Sequence, residues 1–490
     1  MTLHISLVGR KDLSVEIYRQ IRDAIVSGIL RPGDRLPASR ELARTLSVSR
    51  MTVTVAYERL SAEGSTVSRV GDGTFVSALV DWPRTGRLRG AIERPLQPRR
   101  LWERMPLPTA FAQPARFDFR TGIPDGSVFS HTRSRRPFLR AMRAHWSDTA
   151  LYGDPAGDPA LRAAIARHVG SSRGILATPD EVIVTNGTQQ ALDVVARVLV
   201  SPLDRVAVED PGYWPPRRIF EALGARVVPV PVDREGLVVQ SIPQHVRAVY
   251  VTPSHQYPMG VSMTLQRRQM LLAWADRNDA AVLEDDYDSE FRFGDRPLDP
   301  LRTLDISGRV VYVGSFSKTL WPSLRLGFLI APSSLRAAIE RAKFLADWHS
   351  PTLLQIALAR FIDDGEFAKH LRRLRAVYEE RHGLVHRIIT RDFCDDLELI
   401  PSNTGIHLAA VARRLSVDRI EDIARRALAR GVAIQTLAGF AAGGRAQAGI
   451  VLGYGGIATA DIAHGLRTLR GCFRIGTVND VRAVIPRERH

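Results

Sequence analysis

The chain has 490 residues, a formal net charge of +16, 45% hydrophobic and 24% charged residues. At roughly 100–200 residues per domain, that length suggests two to four domains, and the balance is that of a globular chain, not a disordered one. Cys394 and Cys472 are its only cysteines and stand in no metal-ligand or redox spacing, which excludes a disulfide framework and a cysteine-based zinc site.

No secretory signal opens the chain, and no apolar stretch reaches the roughly 18–20 residues of a membrane span, so a cytoplasmic location without a membrane partner is expected. The positive charge suggests a polyanionic partner. Only four of the 68 basic residues are lysine, however, a skew that a codon bias toward arginine would also produce. The distribution of the charge has to decide.

Residues 1–78 read as one unit. Ser14–Ile25 carries Val15, Ile17, Tyr18, Ile21 and Ile25 close to helical spacing, and Gly28 to Asp34 breaks the helix with two glycines and Pro32. Two short helices are expected at Ser39–Ser47 and Ser49–Glu63, each opened by a serine able to cap free backbone N–H groups. Beyond Gly64, Thr66–Val70 and Thr74–Ser77 alternate like strands around Gly71-Asp72-Gly73, a hairpin. In the third helix Val53, Tyr57 and Leu60 define a buried stripe, against which Leu42, Leu46 and Val48 would pack. That leaves Ser49, Arg50, Thr52 and Thr54 exposed at its N-terminal end, short donors and one arginine, as a DNA recognition helix requires. Arg40 suits a phosphate or base contact, and Arg69 with the Gly71–Gly73 backbone suits the minor groove or a phosphate.

Ile17 to Val76 resembles the winged helix-turn-helix of the GntR superfamily. The matching runs are Arg31-Pro32-Gly33-Asp34-Arg35-Leu36-Pro37-Ala38-Ser39-Arg40-Glu41-Leu42-Ala43, Val48-Ser49-Arg50-Met51-Thr52-Val53 and Gly71-Asp72-Gly73-Thr74-Phe75-Val76. The resemblance implies binding of operator DNA through Arg40, Ser49, Arg50, Thr52 and Gly71. Ser65 departs from it, standing where such wings often begin with an aromatic.

Residues 79–116 hold eight arginines, six prolines and three acids without periodicity, which predicts an extended, stiff tether. Its arginines could touch phosphates or simply be solvated. From Phe117 to about 477, short Val/Ile-rich strands (Glu181–Thr185, Arg205–Glu209, Ala248–Thr252, Ala281–Glu284, Val310–Gly314 and Gly327–Ile330) alternate with amphipathic helices such as Gln189–Leu199 and Gln266–Asn278. This predicts a mainly parallel sheet covered on both faces. The chain turns mostly helical after Leu335 and finishes in a mixed segment at 398–475. The expectation is a large α/β domain followed by a smaller α+β subdomain, with 478–490 as a tail.

Four motifs in this region carry chemistry. Thr185-Asn186-Gly187-Thr188-Gln189-Gln190 opens a helix after a strand, aiming unpaired N–H groups at an anion. Asp210-Pro211-Gly212-Tyr213 sets an aromatic just beyond a strand, where it can stack on a planar ring. Leu283-Glu284-Asp285-Asp286-Tyr287 crowds three acids at a strand end, which is costly unless a cation or proton donor sits opposite. A protonated pyridine nitrogen would serve, as could a metal, although no histidine or further acid is spaced to complete a metal site, so none is expected. Ser315-Phe316-Ser317-Lys318-Thr319-Leu320 contains one of the four lysines, with Arg325 seven residues later. An arginine bias would replace a lysine that merely carried charge. Only an amine that can lose its proton, from a reference pKa of about 10.4, can form a Schiff base.

Together the four motifs describe a pyridoxal 5′-phosphate site. Lys318 would form the Schiff base, Asp285 would hold the pyridine nitrogen protonated, Tyr287 would hydrogen-bond the ring hydroxyl and Tyr213 would stack on the ring. Gly187, Thr188, Ser315, Ser317 and Arg325 would hold the phosphate, with Asn186 in the same turn also set against the cofactor.

Their order and spacing resemble fold-type I aminotransferases. Leu151-Tyr152-Gly153-Asp154-Pro155-Ala156-Gly157 resembles that family's segment whose tyrosine reaches the neighbouring subunit's phosphate, so Tyr152 implies a head-to-tail homodimer with composite sites. The head, the Arg/Pro-rich tether and this domain, joined in that order, resemble the MocR subgroup of GntR regulators. Val251-Thr252-Pro253-Ser254-His255-Gln256-Tyr257-Pro258-Met259-Gly260 carries that resemblance where aminotransferases usually have Asn-Pro-Thr-Gly. Alignment of Ile450-Val451-Leu452-Gly453-Tyr454 puts Val451 where aminotransferases clamp a substrate carboxylate with arginine, and Arg445 is near but displaced. The resemblance thus implies a DNA-binding transcriptional regulator that uses pyridoxal phosphate to sense a small amine, an amino acid or the cofactor itself, without physiological turnover. The alternative is an active aminotransferase with an accessory DNA-binding head.

Overall fold

The computed structural model describes residues 5–7, 12–69, 71–77, 96–105, 114–129, 136, 139–140, 143, 151–294, 299–443 and 446–474. Val70, the tether arginines Arg84, Arg87, Arg89 and Arg94, Arg445 and the tail 478–490 lie outside the described residues. The chain divides into two compact units, Met1–Met105 and Pro106–His490.

The first unit is three helices and a hairpin: α1 Leu13–Val26, α2 Ser39–Thr45, α3 Arg50–Ala62, β1 Thr66–Arg69 and β2 Gly73–Val76. The 3.6-residue period writes its core. Ile17, Ile21 and Ile25 of α1, Leu42 of α2, and Val53, Tyr57 and Leu60 of α3 are buried together, with Leu46 and Val48 packed against them. Ser49 caps α3, its side chain accepting from the Thr52 N–H at 3.1 Å. Ser39 does not cap α2. That helix starts one residue earlier than its serine suggested, with extended Ala38 at the cap position, and the Tyr57 hydroxyl holds the preceding Pro37 carbonyl at 2.8 Å. The hairpin pairs Thr66 with Val76 and Arg69 with Gly73. Ser65, which departs from the aromatic that often begins such wings, is buried beneath it, and its carbonyl takes the Ser77 N–H at 3.0 Å.

Within the tether, Arg100–Arg104 forms one helical turn, contrary to the expectation of wholly extended chain. Pro98 precedes it and Pro106 follows it in sequence, and a proline disfavours helix in the residue before it while leaving the gap between free.

The second unit is built on an eight-stranded sheet. Its strands are β4 Val182–Thr185, β5 Arg205–Asp210, β6 Arg226–Asp233, β7 Gly236–Leu237, β8 Val246–Val251, β9 Ala281–Asp286, β10 Val310–Ser315 and β11 Gly327–Ile330, in the order β4-β11-β10-β9-β8-β5-β6-β7. From β10 to β6 the pairing is parallel, whereas β11 runs antiparallel to both neighbours. Helices lie on both faces: Thr188–Leu199 packs its Val194, Val195 and Leu199 with Val206, Leu283 and Val311, while Leu271 and Trp274 of Leu265–Arg277 join Val249, Val282 and Val310. The parallel strands therefore end together at one edge, where sheets of this kind bind ligands.

The smaller lobe is an antiparallel sheet of β12 Leu397–Leu399, β13 His407–Ala412, β15 Gln435–Thr436 and β16 Gly449–Gly453 with helices Val417–Ala429 and Thr459–Arg474. The described chain enters the second unit through this lobe, because β3 Phe117–Asp118 pairs in parallel with β14 Val432–Ala433. None of the described helices is long and apolar enough to cross a membrane.

Candidate functional site

At the N-terminal end of α3, Ser49, Arg50 and Met51 are exposed and Thr52 is partly so. The hydroxyls of Ser49 and Thr52 lie 2.8 Å apart and serve the cap, so Arg50 is the long side chain left to reach outward. Arg40, Arg69 and Gly71 are also exposed, with the Arg69 guanidinium 5.1 Å over the Phe75 ring. Sequence reasoning passed over Met51, 69% exposed beside Arg50, and Arg35, whose guanidinium lies against the wing at Gly73. If Arg50 reads bases, Arg50→Ala should weaken operator binding about tenfold and flatten base preference at one position. An unchanged footprint and affinity would remove that role.

The second cluster lies at the strand ends of the large sheet. The three acids of β9 separate because side chains alternate across a strand. Glu284 takes the backbone N–H groups of Leu301 and Arg302, each at 2.8 Å, and lies 3.9 Å from Arg268. Asp286 takes Arg173 at 3.0 Å and the Tyr312 hydroxyl at 2.7 Å. Asp285, 3% exposed, faces the site. Its Oδ2 takes the Tyr250 hydroxyl at 2.7 Å, and its buried Oδ1 has no partner. Burial pushes this carboxyl up to about 7, with Asp286 adding to the rise and the Tyr250 hydroxyl and Lys318 opposing it.

Lys318 follows β10 and donates to the Gly122 carbonyl at 2.7 Å. The described lysines Lys343 and Lys369 instead pair with carboxylates of their own helices, Asp347 at 2.6 Å and Glu366 at 2.7 Å. Burial lowers the pull of the Lys318 amine on its proton, opposed by the charges of Asp288 and Asp285 and assisted by Arg325. On one side of this amine, Gly187 at φ +80° opens the helix Thr188–Leu199, whose first turn no side chain caps. Arg325, itself left-handed at φ +51°, donates to the Asn186 carbonyl at 2.7 Å and packs its guanidinium on Gly187, where a Cβ would come within 3.0 Å of it. Ser315 is buried at the end of β10 and its Oγ takes the Ser317 N–H at 3.1 Å. A helix N-terminus, a guanidinium and the Ser315 hydroxyl are donors of the kind that suit a dianionic phosphate.

Not every expected residue faces these donors. The Asn186 amide donates to Asp347 at 2.6 Å. Tyr152 is 76% exposed and stacks on Trp348, the residue after Asp347, with centroids 4.5 Å apart. Tyr213 caps the helix Trp214–Ala222 and meets Tyr257 edge to face at 5.5 Å. The strand stops at Asp286, and the Tyr287 hydroxyl beyond it donates to the His255 carbonyl at 2.8 Å. Val451 on β16 is fully buried among Met259, Leu437 and Phe440.

Sequence reasoning missed two groups. Buried Glu209 takes the Thr252 hydroxyl at 2.7 Å, and burial pushes it up to about 7. His255, Asp288 and His407 come from three separate segments, and one nitrogen or oxygen from each lies within 4.8 Å of the other two. His255 was within a quoted motif and Asp288 one residue past another, but only the fold brings them together.

Pyridoxal 5′-phosphate fits this set on two observations: the partnerless Oδ1 of Asp285 can accept from a ring N–H, and the cradle at Gly187 and Arg325 offers donors to a phosphate.

The gntR family of bacterial regulatory proteins matches residues 13–76, and the family described as "Aminotransferase class I and II" matches residues 125–448. Over 94% of this chain and 93% of the relative, the sequence is 38% identical to "Probable rhizopine catabolism regulatory protein MocR" of Rhizobium meliloti. It is 34% identical to "HTH-type pyridoxine biosynthesis transcriptional regulator PdxR" of Corynebacterium glutamicum, over 90% of this chain and 92% of that one. Among solved structures it is similar to Pyrococcus horikoshii kynurenine aminotransferase, with 25% identity, a TM-score of 0.71 and coverage of 79% of this chain and 98% of that one.

Proposed function

The chain belongs to the HTH-type transcriptional regulators that join a gntR-family head to an aminotransferase class I and II domain, and from that premise we propose how its parts act. The protein is a pyridoxal phosphate-dependent regulator of transcription. Residues 1–78 grip operator DNA through Arg40, Ser49, Arg50, Thr52, Arg69 and Gly71, residues 79–116 tether that head, and residues 117–477 bind the cofactor. A small amine, an amino acid or the cofactor itself is the effector. The working form is a cytoplasmic head-to-tail homodimer, in which a second copy covers Leu151, Tyr152 and Trp348; all three are substantially exposed in the single chain.

When bound, pyridoxal phosphate supplies an aldehyde that condenses with amines and a ring that withdraws electrons. This chain's residues do the rest. Lys318 offers an amine with a weakened hold on its proton, and Asp285 keeps one carboxylate oxygen for a ring N–H. Gly187, Thr188, Ser315, Ser317 and Arg325 would hold the phosphate. Tyr213 would stack on the ring and Tyr287 presents a phenol fixed by the His255 carbonyl. The apolar surroundings of Val451 leave a substrate carboxylate without a guanidinium at that position, which favours sensing over turnover.

The observation that carries this reading is the buried, partnerless Oδ1 of Asp285 together with Lys318, whose amine donates to the Gly122 carbonyl and not to a carboxylate. The test is a titration of the loaded dimer with a panel of primary amines and amino acids, reading visible absorbance and affinity for a selected operator fragment together. An amine that changes the absorbance should change operator affinity about 5- to 150-fold, the usual span of allosteric coupling. Absorbance changes across the panel with constant operator affinity would refute the sensor reading.

A further inference from the structure

In the sheet of the smaller lobe, Val451 of β16 lies opposite Ala409 of β13 on one side and Gln435 of β15 on the other. Residues directly opposite one another in such a sheet point to the same face. The row that in aminotransferases would carry a carboxylate-clamping arginine is here a valine between an alanine and an amide, and none of the three is charged. Tyr257, in the loop after β8, packs against the same apolar cluster as Val451, with its ring 5.2 Å from that of Phe440.

Direct contacts lead from this row to the amine. Thr121 precedes Gly122, whose carbonyl accepts from the Lys318 amine at 2.7 Å. The Thr121 N–H and hydroxyl both donate to Oε1 of Gln435, at 2.8 and 2.7 Å. A backbone N–H only donates, so the orientation of the amide follows from this contact. Its oxygen is engaged by Thr121, and its NH2 group has no hydrogen-bond partner among the described residues. The Thr121 hydroxyl has one proton and gives it to Gln435. The Tyr257 hydroxyl, 2.5 Å away, therefore donates its own proton to Thr121 and keeps a lone pair on its oxygen. Burial pushes that phenol up to about 12, so it stays neutral. The Tyr257 ring also meets those of Tyr213 and Tyr287 edge to face, at 5.5 and 5.9 Å, beside the two aromatics assigned to the cofactor ring.

This wall thus offers an uncharged donor and an uncharged acceptor, both anchored on one threonine. A hydroxyl matches the pair, because it accepts from the amide and donates to the phenol oxygen. A carboxylate has no proton for the phenol and would lose water without gaining a cation, and an alkyl group would leave the amide's donors unpaired. We propose that the Gln435 amide and the Tyr257 hydroxyl, aligned by Thr121, are the specificity-determining groups for the effector, and that the effector is a small amino alcohol. Its primary amine meets the aldehyde and its hydroxyl meets this wall. This rests on the amine-sensing reading of Lys318 and deepens it by naming the effector's chemical class.

The test uses the full-length protein loaded with pyridoxal phosphate and reads visible absorbance. It is titrated with straight-chain amino alcohols from ethanolamine to the five-carbon homologue, with the alkylamines in which a methyl group replaces the hydroxyl, and with the amino acids in which a carboxylate replaces it. At one chain length at least, the amino alcohol should bind about tenfold more tightly than both counterparts, the effect of pairing buried polar groups that would otherwise stay unpaired. Gln435→Met, which keeps the side chain's length without its donors, should reduce that preference about tenfold, and Tyr257→Phe should reduce it as well. Binding of the amino alcohol no tighter than its counterparts at every length would overturn the proposal. A preference that survives undiminished in Gln435→Met and Tyr257→Phe would also overturn it, and if one variant does not fold the other decides. No response to any of the amines would instead refute the sensor reading itself, a result distinct from a response indifferent to the hydroxyl.

Discussion

Lys318→Ala is expected to give a folded protein with no visible absorbance after incubation with pyridoxal phosphate, a complete loss. The argument is chemical before it is positional. Condensation with an aldehyde needs a neutral amine, and of the described lysines Lys318 has burial working to release its proton and a backbone carbonyl, not a carboxylate, as its hydrogen-bond partner. Lys343 is also buried, but Asp347 grips it at 2.6 Å, and Lys369 is paired with Glu366 at 2.7 Å. Lys318→Arg separates charge from chemistry, because arginine keeps the positive charge beside Asp285 and Asp288 yet does not deprotonate. It should therefore lose the absorbance as fully as the alanine variant while keeping more of the wild-type stability. A visible band persisting in both variants would contradict the assignment.

Asp285→Asn should stabilise the unliganded protein at pH 8 and cripple it as a cofactor binder. The Asp285 carboxyl is pushed up to about 7 in the folded chain from an ordinary 3.8. Between those values the folded state holds a proton that the unfolded state has released, so this residue's contribution to stability falls as pH rises from about 4 to about 7. Above pH 7 the folded chain carries the whole cost of a buried anion with one oxygen unpaired, a penalty on the order of 1–4 kcal/mol. Asparagine has the same shape without that charge. Thermal unfolding of the unliganded proteins should show the variant more stable at pH 8 and the difference much smaller at pH 5. Its affinity for pyridoxal phosphate should fall about 10- to 100-fold, the loss of one charge-assisted hydrogen bond. A variant less stable than wild type at pH 8, or one that binds the cofactor equally well, would contradict this role.

Local pattern made much of this architecture legible. The stripe Val53, Tyr57 and Leu60 fixed the buried face of α3, and so which of its residues look outward. Short Val/Ile-rich runs located all six strands named in advance, although the sense of Gly327–Ile330 was not readable. It runs antiparallel because it enters the sheet from Arg325, at the same edge where β10 ends.

The acid triplet shows the limit. In sequence, Glu284, Asp285 and Asp286 ask for one shared cation. In the fold, Arg268 and Arg173 approach the first and third from distant segments, and the middle one is left without an arginine. The His255–Asp288 contact was invisible for the same reason, since its partners are 33 residues apart and are held together by a turn and by Gly405. Ser39 failed as a cap because local preference yields to the Pro37-Ala38 approach, which sets where the helix begins.

Borohydride reduction of the pyridoxal phosphate-loaded protein, followed by peptide mapping, tests the central claim most directly. The account predicts a single pyridoxyl adduct, on the peptide containing Lys318. An adduct on any other lysine, or none at all after loading, would contradict it.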